Sequence, residues 1–288
     1  MVFPTQFPSQ HQTQHPGFEY EMMPPPIYDD STYLQEGNLL QDKVAIITGG
    51  DSGIGRSVAI AFAKQGANIV IPYYNEAKDA NHTKELIENY NRQCLLIEGD
   101  LTQKENCKKV ISMTLNHFTK IDILVNNAAV QYECNDFKNL SDTQFDKTFK
   151  TNVYSAFHLT KAALPHLKSG SSIITTTSVV AFHGHDTLID YSMTKGALVA
   201  FTRSLSMHLA KNKSGIRVNA VAPGPIWTPL IPSSFDAQKV TTFGSNTPLG
   251  RAGQPIECAG AYVFLASDAA SYITGQTIHI NGGEIVNA

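Results

Sequence analysis

From Lys43 onward, short apolar runs alternate with longer stretches whose apolar positions recur at helical spacing. Val44-Ala45-Ile46-Ile47-Thr48, Asn68-Ile69-Val70-Ile71, Cys94-Leu95-Leu96-Ile97 and Ile123-Leu124-Val125-Asn126 read as strands. The segments between them predict helices over residues 56–65, with Gly66 as the stop, 77–91 and 103–118. The alternation continues with a helix from 142 to about 165, a strand over 172–176, a helix from about 191 to 212 and a strand over 216–221. A long irregular stretch follows, then a helix over 256–265 and a last strand over 277–280. The strand runs are apolar throughout rather than alternating. That suits a parallel sheet covered on both faces, and repeated strand–helix units with right-handed crossovers give a doubly wound α/β fold.

The first forty residues follow a different pattern. Six of the 14 prolines fall within residues 1–30, and Pro24-Pro25-Pro26 favours extended geometry over helix. Such a composition suits a disordered tail. Yet Phe3, Phe7, Phe18, Tyr20, Tyr28 and Tyr33 are many aromatics for a solvated segment. The alternative is an arm that docks on the body or on a neighbouring subunit. The chain thus divides into an arm, 1–40, and one α/β domain, 41–288.

Charge and composition narrow the function classes. A net charge of −3 with no Lys/Arg block gives no electrostatic support for nucleic-acid or anionic-membrane binding. No stretch approaches the ~18 apolar residues of a membrane span, and the N-terminus lacks the pattern of a signal peptide. Cys94, Cys107, Cys134 and Cys258 are widely spaced and form no Cys-x-x-Cys pair. They read as reduced thiols of a cytoplasmic protein, with no metal site expected.

Two motifs carry candidate chemistry. Thr48-Gly49-Gly50-Asp51-Ser52-Gly53-Ile54-Gly55 directly follows a strand and opens a helix. Glycines there allow a tight turn and close approach of a pyrophosphate, to which the helix N-terminus offers free N–H groups. Its spacing, Gly49, Gly53, Gly55, is one residue longer than the commonest dinucleotide fingerprint. The second motif is Tyr191-Ser192-Met193-Thr194-Lys195, with Ser178 upstream. A phenol titrates near ~10, but a lysine one helical turn away shares its face and would draw it toward neutral pH. Alone, a Tyr-x-x-x-Lys pair more often marks an exposed helix face, and Ser178 could be a strand-end hydroxyl bonded to backbone.

Taken in order, these motifs resemble the short-chain dehydrogenases/reductases over residues 41–288. Gly49, Gly53 and Gly55 match that family's cofactor turn, with Asp51, Ser52 and Ile54 between them. Asn126-Asn127-Ala128-Ala129 matches its Asn-Asn-Ala-Gly element, with Ala129 in place of glycine. Asn152, Ser178, Tyr191 and Lys195 match its catalytic four, and Pro223-Gly224, with Ile226 and Thr228, its nicotinamide loop. The glycine turn, the run 224–232 and the Pro-rich leader resemble a bacterial subgroup described as general-stress or glucose/ribitol dehydrogenase-like oxidoreductases.

The resemblance implies a three-layer Rossmann-type doubly wound sheet of about seven strands, order 3-2-1-4-5-6-7, and a homotetramer. It implies that Tyr191 exchanges a proton with the substrate oxygen and that Ser178 hydrogen-bonds that oxygen. Lys195 would also hold the nicotinamide ribose, and Asn152 a relay water. Asp100 and Leu101 would meet the adenine, and Thr176 would border the cofactor. Asp100 could equally cap the next helix. Tyr74 and Asn75, within Tyr73-Tyr74-Asn75-Glu76, fall where the adenine ribose is read. Neither an acidic nor a basic signature is clean there, Ser52 is neutral, and Arg56 could face solvent or pair with an acid. NAD and NADP both stay open.

The substrate pocket is expected from Val179–Asp190, with His183, His185, Asp186 and Thr187, and from Pro225–Leu249, with Trp227, Pro229, Pro232, Phe235 and Phe243, as a lid. A polyol, a sugar or a small aldehyde would fit. Too few residues follow Lys195 for the substrate domain of an extended-branch epimerase. Ser178 argues against an enoyl reductase. A different class, a catalytically silent cofactor-binding sensor, is disfavoured because all four catalytic matches are present.

Overall fold

The computed structural model describes residues 3–286; residues 1–2 of the arm and 287–288 of the α/β segment lie outside the described residues. In chain order the elements are β1 Val44–Ile47, α1 Gly53–Lys64, β2 Asn68–Tyr73, α2 Ala77–Glu88, β3 Cys94–Glu98, α3 Lys104–Phe118, β4 Ile123–Asn126 and α4 Asp142–Phe149. There follow α5 Ser155–Ala163, β5 Ser172–Thr176, α6 Val180–His183, α7 Ile189–Lys211, β6 Arg217–Pro223, α8 Leu230–Ser234, α9 Ala237–Val240, α10 Pro255–Ala266 and β7 Thr277–Ile280.

The seven strands form one sheet in the order β3-β2-β1-β4-β5-β6-β7, and every pairing is parallel. Alternate residues of β1 explain why its sequence shows no polar alternation. Ala45 and Ile47 pack into one core with Phe62 of α1 and Tyr262 of α10. Val44 and Ile46 pack into the opposite core with Val110 of α3, Leu159 of α5 and Leu209 of α7. A strand buried on both faces has no side that gains from polar residues. All seven strands point their carboxyl ends at one edge, and the order reverses direction between β1 and β4, where an open α/β sheet leaves a crevice.

Three elements differ from the sequence expectation. The helix expected over 142–165 is divided by a π-helical turn, Lys150–Tyr154, between α4 and α5. That turn holds Asn152. The helix α1 starts at Gly53, so two of the motif glycines belong to its first turn. The stretch expected to be irregular contains the short helices α8 and α9.

The arm docks on its own chain. Phe7 is buried and stacks on Trp227, with ring centroids 3.9 Å apart and planes 13° from parallel. The Trp227 Nε1–H donates to the Pro24 carbonyl at 2.9 Å, and Met22 completes the cluster with Ile231 and Val240. Further along, the Ser57 hydroxyl donates to the Tyr28 carbonyl at 2.8 Å, and the Ile27 N–H donates to Gln254 at 2.8 Å. Proline-rich backbone needs few internal partners, so such a segment can lie along a surface and spend its side chains on it. Replacing Phe7 with Ala removes a buried ring from this seam. It should destabilise the protein by about 3 kcal/mol, as for other buried Phe→Ala changes, measured by urea unfolding.

Candidate active site

A cavity of about 1170 Å³ lies along the carboxyl edge of the sheet. Its floor begins with the turn after β1. Gly49 and Gly53 have φ of +62° and +52°, a left-handed conformation that costs glycine least. A Cβ on Gly55 would stand 1.9 Å from the Gly49 carbonyl oxygen, so this turn closes only with glycine at 55. The result is a cradle of backbone at the start of α1, the chemistry a pyrophosphate requires. NAD and NADP both fit it.

Hydroxyl and amide groups tie this turn to the other strand ends. The Thr48 hydroxyl oxygen accepts the N–H groups of Asn127 and Ala128 at 2.8 and 2.9 Å. The Asn127 amide donates to the Thr48 carbonyl at 3.0 Å, and its oxygen accepts from the Thr176 hydroxyl at 3.1 Å. The ends of β1, β4 and β5 are thereby joined across the crevice.

Most residues expected at the site lie on the cavity wall. Gly49, Asp51, Ser52, Gly53 and Ile54 line it from the turn, Tyr74 from just beyond β2, and Asp100 and Leu101 from the loop after β3. Asn127, Ala128, Ala129 and Thr176 line the centre, and Pro223, Gly224, Ile226 and Thr228 the far side. Ser178, Tyr191 and Lys195 share that wall. Asp100 also uses one carboxylate oxygen to accept the Thr102 N–H at 2.9 Å, so it shapes its turn while facing the cavity.

Three expected residues stand behind the wall. Gly55 packs under Gly49. The Asn75 amide is satisfied when its nitrogen donates to both Glu76 oxygens, at 2.8 and 3.0 Å, and its oxygen accepts from Gln14 of the arm at 2.9 Å. The Asn152 oxygen accepts the Val130 N–H at 2.8 Å, and its nitrogen donates to the Val130 carbonyl at 2.9 Å and the Thr194 hydroxyl at 3.0 Å. Both amide hydrogens are thereby engaged, and the side chain locks the loop after β4 to α7.

In the pocket segments, His183, His185, Asp186 and Thr187 line the cavity, as do Phe235 and Phe243. Asp190 does not. It is fully buried, accepting the Tyr191 N–H at 2.9 Å and the Thr148 hydroxyl at 2.7 Å, and so joins α7 to α4. Trp227, expected in the lid, faces the arm instead, because Phe7 and Pro24 cover it.

Sequence reasoning missed the contributions of the arm. His15 and Pro16 line the cavity, and His15 packs against Tyr132 with ring centroids 4.5 Å apart. Burial pushes His15 down to about 4, so it is neutral at pH 7. Lys239 of α9 pairs at 2.7 Å with Glu133, which also accepts the Thr187 hydroxyl at 3.1 Å, linking the lid to the loop before α7. The aromatic residues of the leader were the only signal of docking in the sequence, and they did not show where it docks.

The electrostatics at Tyr191 and Lys195 differ from the expectation. Burial pushes the Tyr191 phenol up to about 12, opposed by the Ser178 hydroxyl that hydrogen-bonds it. Burial brings Lys195 down to about 7. Its ammonium donates to the Thr176 carbonyl at 2.8 Å and stands 5.4 Å from the Tyr191 ring centroid. Desolvation therefore outweighs the lysine's pull on the phenol in this arrangement, whereas spacing along a helix predicted the reverse.

A glycine cradle at the crevice and a buried serine–tyrosine–lysine group beside it are the marks of one class, and the chain belongs to the short-chain dehydrogenase/reductase family of NAD- or NADP-using oxidoreductases. A family model described as Enoyl-(Acyl carrier protein) reductase matches residues 49–284. Among curated relatives, the chain is 56% identical to the uncharacterized oxidoreductase YhdF of Bacillus subtilis (strain 168), covering 96% of this chain and 95% of that one. It is 50% identical to NADPH-dependent aldehyde reductase 1, chloroplastic, of Arabidopsis thaliana, over 97% and 99% of the two chains. It is 49% identical to the glucose and ribitol dehydrogenase of Daucus carota, over 98% of each. Among solved structures, a short chain dehydrogenase from Burkholderia cenocepacia J2315 in complex with NADP superposes with a TM-score of 0.80, at 29% identity over 85% of this chain and 99% of that one. A 3-ketoacyl-(acyl-carrier-protein) reductase from Brucella melitensis complexed with NADH gives 0.78, at 31% identity over 86% and 100%.

The buried lysine has a measurable signature in stability. Its folded pKa, about 7, lies below its unfolded value of 10.5, so the unfolded chain binds more protons between these limits. Stability from this group is therefore lowest below pH 7 and recovers as pH rises toward 10.5. A Lys195→Met variant should melt above the wild type at pH 6, and that advantage should shrink between pH 7 and 10, measured by thermal denaturation across pH.

Proposed function

We propose that the protein interconverts an alcohol and a carbonyl with NAD or NADP, and that Tyr191 is its acid/base. The observation that carries this reading is the buried group of Ser178, Tyr191 and Lys195 on the same wall as the glycine cradle. The cofactor, when bound, supplies or accepts the hydride. Tyr191 donates its phenolic proton to the oxygen that becomes an alkoxide in reduction, and takes the proton back in oxidation. Ser178 hydrogen-bonds that oxygen and holds it against Tyr191. Lys195, held by the Thr176 carbonyl, aims its ammonium along the cavity to orient the ribose and to restore the tyrosine's proton. Since the Asn152 amide is engaged, its part is to fix the loop after β4 and, through Thr194, the tyrosine helix.

Two features support a small hydroxylated aldehyde, sugar or polyol as substrate. The wall near Tyr191 is polar, with His183, His185, Asp186 and Thr187, and relatives carry aldehyde reductase and glucose and ribitol dehydrogenase names. The serine beside the tyrosine favours this carbonyl chemistry over reduction of an enoyl double bond. We further read residues 41–288 as one dinucleotide-binding domain with residues 1–40 as its appendage, acting in the cytoplasm as a homotetramer. Exposed Tyr154, Phe157 and Tyr272 offer apolar surface for such an assembly.

The decisive variant is Tyr191→Phe, which keeps the ring and removes the proton. It should bind cofactor with unchanged affinity and turn over aldehydes and polyols about 10²–10⁴-fold more slowly, by cofactor titration and steady-state rates. Near-normal turnover would remove Tyr191 from the mechanism.

A further inference from the structure

We propose that Glu19, supplied by the arm, together with Glu76 makes this cavity select NAD(H) over NADP(H). The inference rests on the cofactor reading of the cavity but on no choice of substrate.

Arg56 lies in the first turn of α1 and is 2% exposed. Its Nε and one terminal nitrogen donate to the Asp51 carbonyl at 3.0 and 2.7 Å, and Nε also donates to the Thr83 hydroxyl at 2.8 Å. The same terminal nitrogen pairs with Asp79 at 2.9 Å. The remaining terminal nitrogen pairs with Glu19, whose other carboxylate oxygen accepts the Gly53 N–H of the glycine turn. Glu19 is itself held, since its own N–H donates to Asp79 at 3.0 Å. All three nitrogens of the guanidinium are thus engaged by protein groups.

The ribose end of the cavity, where β2 gives way to α2, carries acids. Asp51 and Glu76 are both buried and both on the cavity wall. Burial raises Asp51 to about 6 and Glu76 to about 7, and their mutual repulsion adds to the rise at Glu76. A ribose 2′-hydroxyl can donate to either carboxyl oxygen. A 2′-phosphate adds about two negative charges and would face these carboxyls. Arg56, the cation in the adjacent helical turn, is occupied by Glu19 and Asp79. Of the other lysines on the wall, Lys150 pairs with Asp146, Lys239 with Glu133 and Lys195 with the Thr176 carbonyl, while Lys147 lies over the Tyr132 ring at 4.9 Å, beside the arm's His15. Lys78, near the start of α2, lies over the Tyr20 ring of the arm at 3.6 Å and is not on the wall. The arm thus withdraws two cations from the region where a 2′-phosphate would need one.

The test is titration of the full chain with NADH and with NADPH, followed by nicotinamide fluorescence and without substrate. The wild type should bind NADH at least about tenfold tighter, the scale of one uncompensated like charge near a protein surface. Glu19→Gln keeps the hydrogen bond to the Gly53 N–H and frees one side of Arg56. It should narrow the NADH/NADPH ratio about fivefold or more. Glu76→Gln, at a residue linked to Gln14 of the arm through Asn75, should narrow it as well and serves if the first variant fails to fold. Equal or tighter NADPH binding by the wild type overturns the proposal. So does a ratio that neither variant moves, including the case where both cofactors weaken together. A chain that binds neither dinucleotide overturns the cofactor reading with it. Turnover assays score the carbonyl–alcohol reading separately.

Discussion

The Thr48 hydroxyl holds the site open by holding two strands together. It accepts the first N–H groups beyond β4, those of Asn127 and Ala128, where those groups have left the ladder and face the crevice. A crevice in a parallel sheet exists because neighbouring chains depart in opposite directions, and departing chains leave backbone groups unpaired. One side chain satisfies two of them. The Asn127 side chain then reaches back to the Thr48 carbonyl and across to Thr176, so the cradle and the carbonyl that holds Lys195 belong to one hydrogen-bonded unit. The positions of Tyr191 and Lys195 relative to the glycine turn follow from that unit rather than from the helix α7 alone.

Much of this architecture was legible in the sequence. Strands buried on both faces announce themselves as unbroken apolar runs, so all seven were found, with ends displaced by a residue or two. Gly49, Gly53, Tyr191 and Lys195 lie on one cavity wall, as motif order implied, whereas Gly55 packs beneath Gly49. What escaped notice depended on partners distant in sequence. Asn152 lies in a π turn that no local pattern distinguishes from a helix, and its amide is spent on Val130. The lowering of the tyrosine pKa by Lys195 was inferred from helical spacing, but burial of both groups dominates. Trp227 looked like a lid residue until Phe7 was found stacked upon it.

The site also shows where stability is given up. A buried lysine and tyrosine, the lysine held by a single carbonyl, would serve the fold better as apolar side chains. The same holds for Glu19, Asp51 and Glu76, whose carboxyls are raised by burial. These groups cluster around one cavity, while the two cores that flank the sheet are apolar. Uneven placement of this kind is expected where chemistry, rather than packing, decides which residues are kept.

The path of the arm bears on how the chain assembles. Phe7 meets Trp227, and the Gln12 N–H donates to the Pro232 carbonyl at 2.8 Å, so the arm closes against a segment made much later in synthesis. Contacts at such separation form late, because the intervening loop must close before they gain anything. During translation Glu19 and Tyr28 can meet α1 and α2 early, but Phe7 has no ring to cover until Trp227 exists, and that end of the leader waits exposed. Its closing therefore acts as a final seal on a folded body, and a nascent chain stopped before Trp227 would carry its own unsatisfied hydrophobic end into the cell.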